Sequence, residues 1–412
     1  MKSTLYIVIR FFFFFSVTLC QWSTDPSTPQ SLGSGIQAQA VSTPDGGLYV
    51  AWLSDGNYHV YLQYLNPLGE PQLGQGGMIV SDNQNASWIA VYHLNLGVDH
   101  EGNAIISTVD QRTGSVWEVY AYKVGPDGTM YWGSDGLALT SSSVSNMSPR
   151  LAVTDDNSVI VTWTHNDNTV LFQHISSSGT LLWGDGILVT DNDATLISPN
   201  PIITSDNNIL VQWIRQTGPF WAANSELYLQ KYDHDGNTLW NDPVVAAGPV
   251  VFPMGNWSQQ SLPDANIGNF TAWTEMSGNV QNAKTQHTDA DGNLLWAGSV
   301  EFSDNSSHFR ISPKLAIAES SQDLIAVWNE SNSGQSQRGV YAQRLDSGGN
   351  KLWGSNGTPV IELNGDYDYL DLSVHALGDD IISTYIEQTV TMNGDIYATK
   401  LDQDGSPGWL NN

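Results

Sequence analysis

The chain has 412 residues, of which 40% are hydrophobic and 14% are charged, and its formal net charge is −28. This apolar fraction is ample for a folded core, which argues against a disordered chain. The negative charge argues against partners that present a phosphate backbone or an anionic membrane surface, because both need clustered lysine and arginine. We therefore expect no nucleic-acid partner.

The first segment, residues 1–20, has the pattern of a secretory signal. Lys2 precedes an apolar stretch, LYIVIRFFFFFSVTLC, that is too short for a comfortable membrane span. We expect cleavage after Cys20. A lipoprotein with an acylated Cys20 is the alternative, although Leu19 stands where such signals normally carry Gly or Ala. The mature chain, 21–412, is predicted to be secreted or at the cell surface, without a membrane span. Because Cys20 is the only cysteine, the mature chain is also predicted to have no disulfides.

A thirteen-residue pattern recurs along the rest of the chain. It reads YAQRLDSGGNKLW where it ends at Trp353 and YLQKYDHDGNTLW where it ends at Trp240. The position of this final tryptophan recurs with spacings of 59, 51, 57, 56, 57 and 56 residues, which defines seven units. The position is occupied by Leu73, Trp132, Trp183, Trp240, Trp296, Trp353 and Trp409.

Each unit reads as four short strands. An earlier apolar run such as VIVTW (159–163) or LIAVW (324–328) is typical of a strand that is buried on both faces. The more mixed VYAQRL (340–345) predicts a strand nearer the outside, and clusters of Asp, Asn and Gly between the runs predict turns. The bulky residues that end the apolar runs form a second series: Trp52, Val109, Trp163, Trp213, Trp273, Trp328 and Tyr385.

Four strands per unit predict an all-β fold, a seven-bladed β-propeller of four-stranded antiparallel blades in one domain over 21–412. The recurrent tryptophan is expected to pack between neighbouring blades. The segment that starts at Trp22 aligns with the segment 353–365, whereas the last unit stops shortly after Trp409. We therefore expect an N-terminal strand to complete the last blade, because an open ring would leave a sheet edge unpaired.

The YAQRLD…GNKLW…G pattern, followed by Ile-Ser-Pro at 197–199 and 311–313, resembles the repeats of secreted bacterial β-propeller proteins. The resemblance covers nearly all of the mature chain and implies an exported propeller. Many of those proteins carry a C-terminal cell-surface sorting domain, and we expect none in this chain.

The turns contain D-x-D-G, as at Asp233 and Asp235. Closely spaced carboxylates in a turn are potential calcium ligands. The oxygen donors that should follow the glycine are missing, however, because GNTLW runs straight into a strand, and the matching turn SSSG (176–179) has lost both acids. We predict plain turns without a metal. Motifs for a serine nucleophile, a zinc protease or a phosphate-binding loop are absent, so we expect no cofactor and no catalytic residue.

Candidate ligand-binding residues lie where the apolar run of each unit ends. The loops that follow should open on one face around the central channel, and two of them, DQRTGSVWEV and IRQTGPFWAANSE, are long and carry aromatic residues. Exposed aromatic rings beside polar groups favour contacts with sugars or peptides, although loop packing over the next blade is the alternative. The candidates are Arg112, Trp117, His165, Arg215, Phe220, Trp221, Glu275, Glu330 and Glu387.

The sequence favours a non-catalytic, monomeric propeller that binds a glycan or an extracellular protein as a binding or cell-surface scaffold module. Arg112 and Arg215 favour a carboxylate or sulfate on that partner. One alternative is a secreted polysaccharide-degrading hydrolase or lyase that uses Glu275, Glu330 and Glu387 on the channel face. A purely structural surface repeat protein is the third possibility.

Deleting Gln21 to Gly33 tests the predicted closure of the ring. The deletion should expose an edge of the last blade, so the melting temperature should fall and the protein should associate. Thermal melting and size-exclusion chromatography measure both effects. A deletion variant as stable and as monomeric as its parent would contradict the prediction.

Overall fold

The computed structural model describes residues 30–83, 94–114, 116–141, 143–219, 223–253, 259–389 and 394–408. In these ranges the backbone forms 27 strands and no helix. The strands make seven antiparallel sheets, which are the blades of a propeller. The predicted all-β, seven-bladed fold is therefore confirmed.

The strands follow each other within each blade in chain order. Blades 1 to 3 comprise β1 (Ile36–Ser42), β2 (Leu48–Leu53), β3 (Val60–Leu65) and β4 (Met78–Ser81), then β5 (Asn95–Val98), β6 (Ala104–Asp110), β7 (Glu118–Val124) and β8 (Leu137–Ala138), then β9 (Asn146–Val153), β10 (Val159–His165), β11 (Thr169–Ile175) and β12 (Ile187–Val189). Blades 4 and 5 comprise β13 (Thr195–Ile203), β14 (Ile209–Thr217), β15 (Asn224–Tyr232) and β16 (Val244–Val250), then β17 (Gln260–Pro263), β18 (Asn269–Ser277), β19 (Val280–Thr288) and β20 (Val300–Glu301). Blades 6 and 7 comprise β21 (Phe309–Ile317), β22 (Leu324–Ser331), β23 (Arg338–Leu345) and β24 (Thr358–Asn364), then β25 (Asp368–Leu377), β26 (Asp380–Gln388) and β27 (Gly394–Leu401).

The first strand of each blade is the innermost one, and from blade 1 to blade 6 it lies beside the first strand of the next blade. Amide side chains join these strands around the channel. Gln39 Nε2 donates to the Leu94 carbonyl at 2.5 Å, and Leu96 N donates to Gln39 Oε1 at 3.1 Å. In the next pair, Leu151 N donates to Asn95 Oδ1 at 2.8 Å.

The second strands of blades 2 to 6 are largely buried. All residues of β6 are buried, and so are all residues of β10 except His165. The rings of Trp163, Trp273 and Trp328 at the ends of three apolar runs are among the largest fully buried side chains. The expectation that the runs VIVTW (159–163) and LIAVW (324–328) are buried on both faces is confirmed.

In blade 2 the second series predicts Val109 at the recurrent position, but the structure has Thr108 there. In blade 3 the recurrent bulky residue, Trp163, pairs with Leu171 at the start of the third-strand pattern. In blade 2 the third-strand pattern starts at Tyr120, which is equivalent to Leu171. Tyr120 pairs with Thr108, and Val109 lies one position later. Because threonine is small, residue size alone could not reveal this position.

A glutamine in the third strand accounts for part of the recurrent pattern. Gln343 Oε1 accepts the backbone N–H of Trp353 at 2.9 Å, and its Nε2 donates to the Gly354 carbonyl at 2.7 Å. The side chain therefore holds the tryptophan segment against the third strand. Gln63 and Gln173 accept the equivalent N–H in blades 1 and 3.

From blade 2 to blade 6, the recurrent tryptophan joins its blade to the next one. Its indole N–H donates to a backbone carbonyl in the turn that follows the third strand of the next blade. The donor and acceptor pairs are Trp132–Ser177 at 3.3 Å, Trp183–His234 at 3.0 Å, Trp240–Ala290 at 3.0 Å, Trp296–Ser347 at 3.0 Å and Trp353–Gln403 at 3.1 Å. Packing of this tryptophan between blades is therefore confirmed.

The glycine of each such turn lies against the tryptophan ring of the preceding blade. A Cβ on Gly405 would be 2.8 Å from Trp353 Cγ, and a Cβ on Gly292 would be 3.0 Å from Trp240 Cδ2. Both glycines have positive φ, 82° and 86°, where other residues are strained. The glycine of the recurrent pattern therefore leaves room for the tryptophan ring of the preceding blade to pack against the turn.

The predicted closure of the ring lies outside the described residues, because Trp22 and Trp409 both fall there. Blade 7 contributes three described strands, β25 to β27. The role of the N-terminal strand stays a prediction.

Replacing Gly292 by alanine tests the close packing of the Trp240 ring against this turn. Gly46 has nearly the same φ, 88°, but a Cβ there would meet nothing within 4 Å, so Gly46→Ala is the matched control. The control should lower the free energy of unfolding by about 1–2 kcal/mol, the cost of the left-handed conformation. Gly292→Ala should cost about 1–3 kcal/mol more, because the ring must move. Equal denaturation midpoints for both variants would disprove the close packing.

Candidate functional site

The propeller has two faces. The loops between second and third strands lie on one, which we call the loop face, and the turns between first and second strands lie on the other, the turn face. Five candidates lie within the last three residues of the second strands, at the loop face, where each pairs with the third strand of its blade. They are His165, Arg215, Glu275, Glu330 and Glu387. Asp110 of blade 2 occupies the same position, two residues after Thr108.

Arg112 is held by its own chain on every side. Its guanidinium donates to Asp110 at 2.6 Å, to the Tyr122 hydroxyl at 2.6 Å and to the Asp135 carbonyl at 2.7 Å. It also lies 3.5 Å from the centre of the Tyr120 ring, a cation–π contact. Little of this group is left to bind an external anion.

Arg215 is likewise occupied by carboxylates of this chain. Its Nε donates to Asp191 at 2.7 Å, and its Nη1 donates to Glu226 at 3.0 Å. The hydrogen bond that Arg215 donates to Asp191 is the main reason that the pKa of Arg215 is raised. Both guanidinium groups are therefore paired within this chain, which leaves little of either to select an anionic partner.

Two of the acidic candidates accept hydrogen bonds from the N–H groups of buried indoles. Glu275 accepts the indole N–H of Trp273 at 2.8 Å and pairs with Lys284 at 2.7 Å. Glu330 accepts the indole N–H of Trp328 at 2.9 Å and contacts a histidine nitrogen at 2.7 Å. Both glutamates are buried, with 7% and 3% of their surface exposed. Their position has an architectural explanation, since a buried indole N–H needs an acceptor.

His165 and Glu387 stand at the same position in different surroundings. His165 Nδ1 lies 2.8 Å from Asn146 Oδ1, which also accepts the indole N–H of Trp163 at 3.0 Å. Burial lowers the pKa of His165. Glu387 faces Asp395 across the strand pair, and burial together with this second carboxylate raises its pKa.

The aromatic candidates divide into two groups. Trp117 is partly buried and packs against a cluster that contains Val119, Trp132 and Trp163. Its ring therefore contributes to the junction of blades 2 and 3. Phe220 and Trp221 lie outside the described residues, and their binding role stays a prediction.

The turn face carries a repeated polar contact that sequence reasoning missed. In every blade, the residue three positions after the start of the YAQRL-type pattern contacts a side chain in or beside the turn between first and second strands. The pairs are Tyr64–Asp45, Lys123–Asp99, His174–Ser158, Lys231–Asp206, His287–Asp264, Arg344–Asp323 and Lys400–Asp380, at 2.6 to 2.8 Å. Alignment of the seven units would have shown this position, but not its partner.

A cleft of about 410 Å³ lies between blades 2 and 3 at this face. Tyr131 lines it, and 55% of this tyrosine is exposed. Lys123 lies 5.8 Å from the centre of the Tyr131 ring. The ammonium group of Lys123 forms an ion pair with Asp99 at 2.8 Å. The other lining residues are Glu101, Asn103, Trp132, Ser177 and Ser178.

Tyr131 interrupts a regular pattern. It directly precedes the recurrent tryptophan, and in the next four blades the corresponding residue is a leucine: Leu182, Leu239, Leu295 and Leu352. All of these side chains are exposed at the rim. Blade 2 therefore places an aromatic ring where its neighbours place an aliphatic one.

The D-x-D-G turns have partners of their own. Asp233 accepts the backbone N–H and the side-chain N–H of Asn237, and Asp289 does the same with Asn293. Across the described ranges, no three residues of His, Cys, Asp or Glu are grouped so that they could hold a metal ion. Nor do those ranges contain a helix that is long and apolar enough to cross a membrane.

No family model and no curated protein sequence matches this chain. Solved structures with the same architecture do. A lectin, BP39L from Burkholderia pseudomallei, is 9% identical, with a TM-score of 0.58 over 90% of this chain and 97% of the lectin. An ulvan lyase of polysaccharide lyase family PL25, bound to -[GlcA(1-4)Rha3S]-, is 10% identical, with a TM-score of 0.57 over 88% of this chain and 91% of the lyase. At these identities the likeness shows a shared fold.

Removing Glu275 tests the architectural role of the loop-face acids. Glu275→Ala leaves a buried indole N–H and Lys284 without their partner, which should lower the free energy of unfolding by about 3 kcal/mol. Glu387→Ala at the same position of blade 7 should change it by less than about 0.5 kcal/mol. Chemical denaturation measures both variants. A stable Glu275→Ala protein would show that this acid is not structural.

Proposed function

We propose that this protein is an exported, non-catalytic propeller that binds a neutral glycan in the cleft between blades 2 and 3. The observation that carries the proposal is the exposed ring of Tyr131 beside hydrogen-bonding groups. The C–H face of a sugar packs against an aromatic ring, while its hydroxyls bind surrounding polar groups. A cleft of about 410 Å³ has the size of a small-ligand site.

The charges of the cleft favour a neutral ligand. Lys123 is paired with Asp99 at 2.8 Å and lies 3.8 Å from Glu101. The Glu101 side chain is 64% exposed, so its carboxylate remains open to accept hydrogen bonds from sugar hydroxyls. A uronate or sulfate would meet this negative charge, and the whole chain adds a net charge of −28.

The structures of similar fold support a glycan as the ligand class, because one is a lectin and another is a lyase with a bound saccharide. The lyase also keeps the enzymatic alternative in view. Glu275 and Glu330 are occupied by indoles and bases, so a catalytic acid would have to be Glu387, which faces Asp395 and has a raised pKa. We favour binding because Tyr131 forms a cleft with its polar neighbours, whereas Glu387 is not among the residues that line it.

Export is part of the same proposal. The apolar segment with Lys2 ahead of it supports secretion, and a ligand outside the cell is then expected. Peptide sequencing of the secreted protein would locate the cleavage site, and a first residue at Gln21 is expected.

A glycan array with the mature chain, followed by Tyr131→Ala, tests the ligand and its site. Binding of the best neutral glycan should weaken on the order of tenfold, equivalent to about 1.4 kcal/mol, because the sugar loses its aromatic contact. Leu182→Ala at the same position of blade 3 is the control and should bind normally. Melting temperatures verify that both variants fold.

Unchanged binding by Tyr131→Ala would remove the cleft from the proposal. Binding that is confined to a peptide array would favour the protein-ligand alternative. Cleavage of the bound polysaccharide, measured by released reducing ends and abolished by Glu387→Gln, would favour the enzyme.

A further inference from the structure

Two cations stand apart from all the others in the described part of the chain. Ten of the twelve lysines and arginines there lie within 4.0 Å of a carboxylate. The exceptions are Arg150 and Lys314, whose head groups have no ion pair or hydrogen bond among the described residues. In a chain with 42 acidic residues, unpaired cations are unexpected.

Arg150 and Lys314 occupy the same position in the innermost strands of blades 3 and 6. Each follows a Ser-Pro pair that forms a bulge, in which Ser148 and Ser312 both have a φ of 54°. Arg150 pairs with the residue just before Trp163, and Lys314 pairs with the residue just before Trp328. The two side chains therefore start at the same height in the ring.

The two positions lie nearly opposite each other across the channel. Blades 3 and 6 are separated by two blades on one side and by three on the other. Burial lowers the pKa of Lys314, the charge of Asp371 raises it, and the charge of Arg150 lowers it. Because blades 3 and 6 are not neighbours, the central channel separates the two positions.

The other members of this position carry no charge. Where the side chain is an amide, it often receives the backbone N–H of the next innermost strand, as Gln39, Asn95 and Gln260 do. The equivalent backbone position beyond Arg150 is Pro201, which has no N–H to donate. Asn200 and Ser373 complete the ring. Asp371 is the acid that influences the pKa of Lys314, and the two side chains form no ion pair within 4.0 Å.

We propose that the central channel binds an oxyanion between Arg150 and Lys314. A carboxylate, sulfate or phosphate group fits this pair, because the arginine fork binds two oxygens and the lysine supplies a second charge. Such an ion would compensate charges that the protein leaves unpaired. The site is separate from the Tyr131 cleft and does not depend on the proposed glycan function. The anion has two sources, a free ion or the acidic end of a saccharide.

Glutamine substitutions test the site, since Gln39 and Gln260 show that the ring accepts this side chain. The variants are Arg150→Gln, Lys314→Gln and the pair together. Arg338→Gln is the control, because Arg338 pairs with Asp368 at the surface and is 45% exposed. The probes are sodium sulfate against sodium chloride at equal ionic strength, then glucuronate against glucose. Calorimetry gives affinity, and thermal melting gives stability.

Sulfate should bind the parent and the Arg338→Gln control saturably and raise their melting temperatures. The double variant should bind at least tenfold more weakly, and Lys314→Gln alone should also bind more weakly. In chloride the double variant should melt at or above the parent temperature, because two uncompensated charges are gone. Sulfate also stabilises proteins generally, but that effect is not saturable and should appear in every variant.

Equal sulfate affinity in the parent and in the double variant would overturn the proposal. Lys314→Gln alone decides the matter if the arginine variants fail to fold. Glucuronate binding with the same dependence, without glucose binding, would identify the acidic end of a saccharide as the source. Sulfate binding alone would identify a free anion. Tyr131→Ala should leave the sulfate response intact, which separates this site from the glycan cleft.

Discussion

Every buried indole N–H needs an acceptor, and five junctions between blades meet that need with the same hydrogen bond. The recurrent tryptophan donates to a backbone carbonyl in the turn of the next blade, at 3.0 to 3.3 Å. Other features serve this bond. A glutamine holds the tryptophan segment against the third strand, as Gln343 does for Trp353, and a turn glycine at positive φ leaves room for the ring. The repeated residues are therefore those that form the contact between successive blades, which explains why the pattern recurs at a nearly constant spacing.

A second constraint comes from the scarcity of positive charge. With 14 basic and 42 acidic residues, most cations are committed to carboxylates of the same chain. Arg112 and Arg215 belong to this group, as do the bases that contact the turn face. Residues that look like a recognition surface in the sequence thus hold loops and strands together. Among the described residues, the exposed ring of Tyr131 and the unpaired head groups of Arg150 and Lys314 are the groups on which the two proposed sites rest.

The fold could be predicted because its determinant is periodic and local. The spacing of Trp240, Trp296 and Trp353 gives the units, and alternating runs and turns give the strands. The site could not be predicted in the same way, because partners come from distant segments. Asp191 lies 24 residues before Arg215, and no pattern marks it as the partner. Tyr131 was visible as a break in a leucine series, but its exposure depends on how neighbouring blades meet.

The indole of each junction bonds to a main-chain oxygen, and that choice has a consequence for the surface. A carbonyl is present whatever the side chain, so the acceptor residues are free to differ, and they are serine, histidine, alanine, serine and glutamine in successive junctions. The turns after the third strands of blades 3 to 7 thus present five equivalent positions. At each of them the hydrogen bond to the tryptophan does not depend on which side chain is present. Mutation could diversify this circle of positions without loosening the ring.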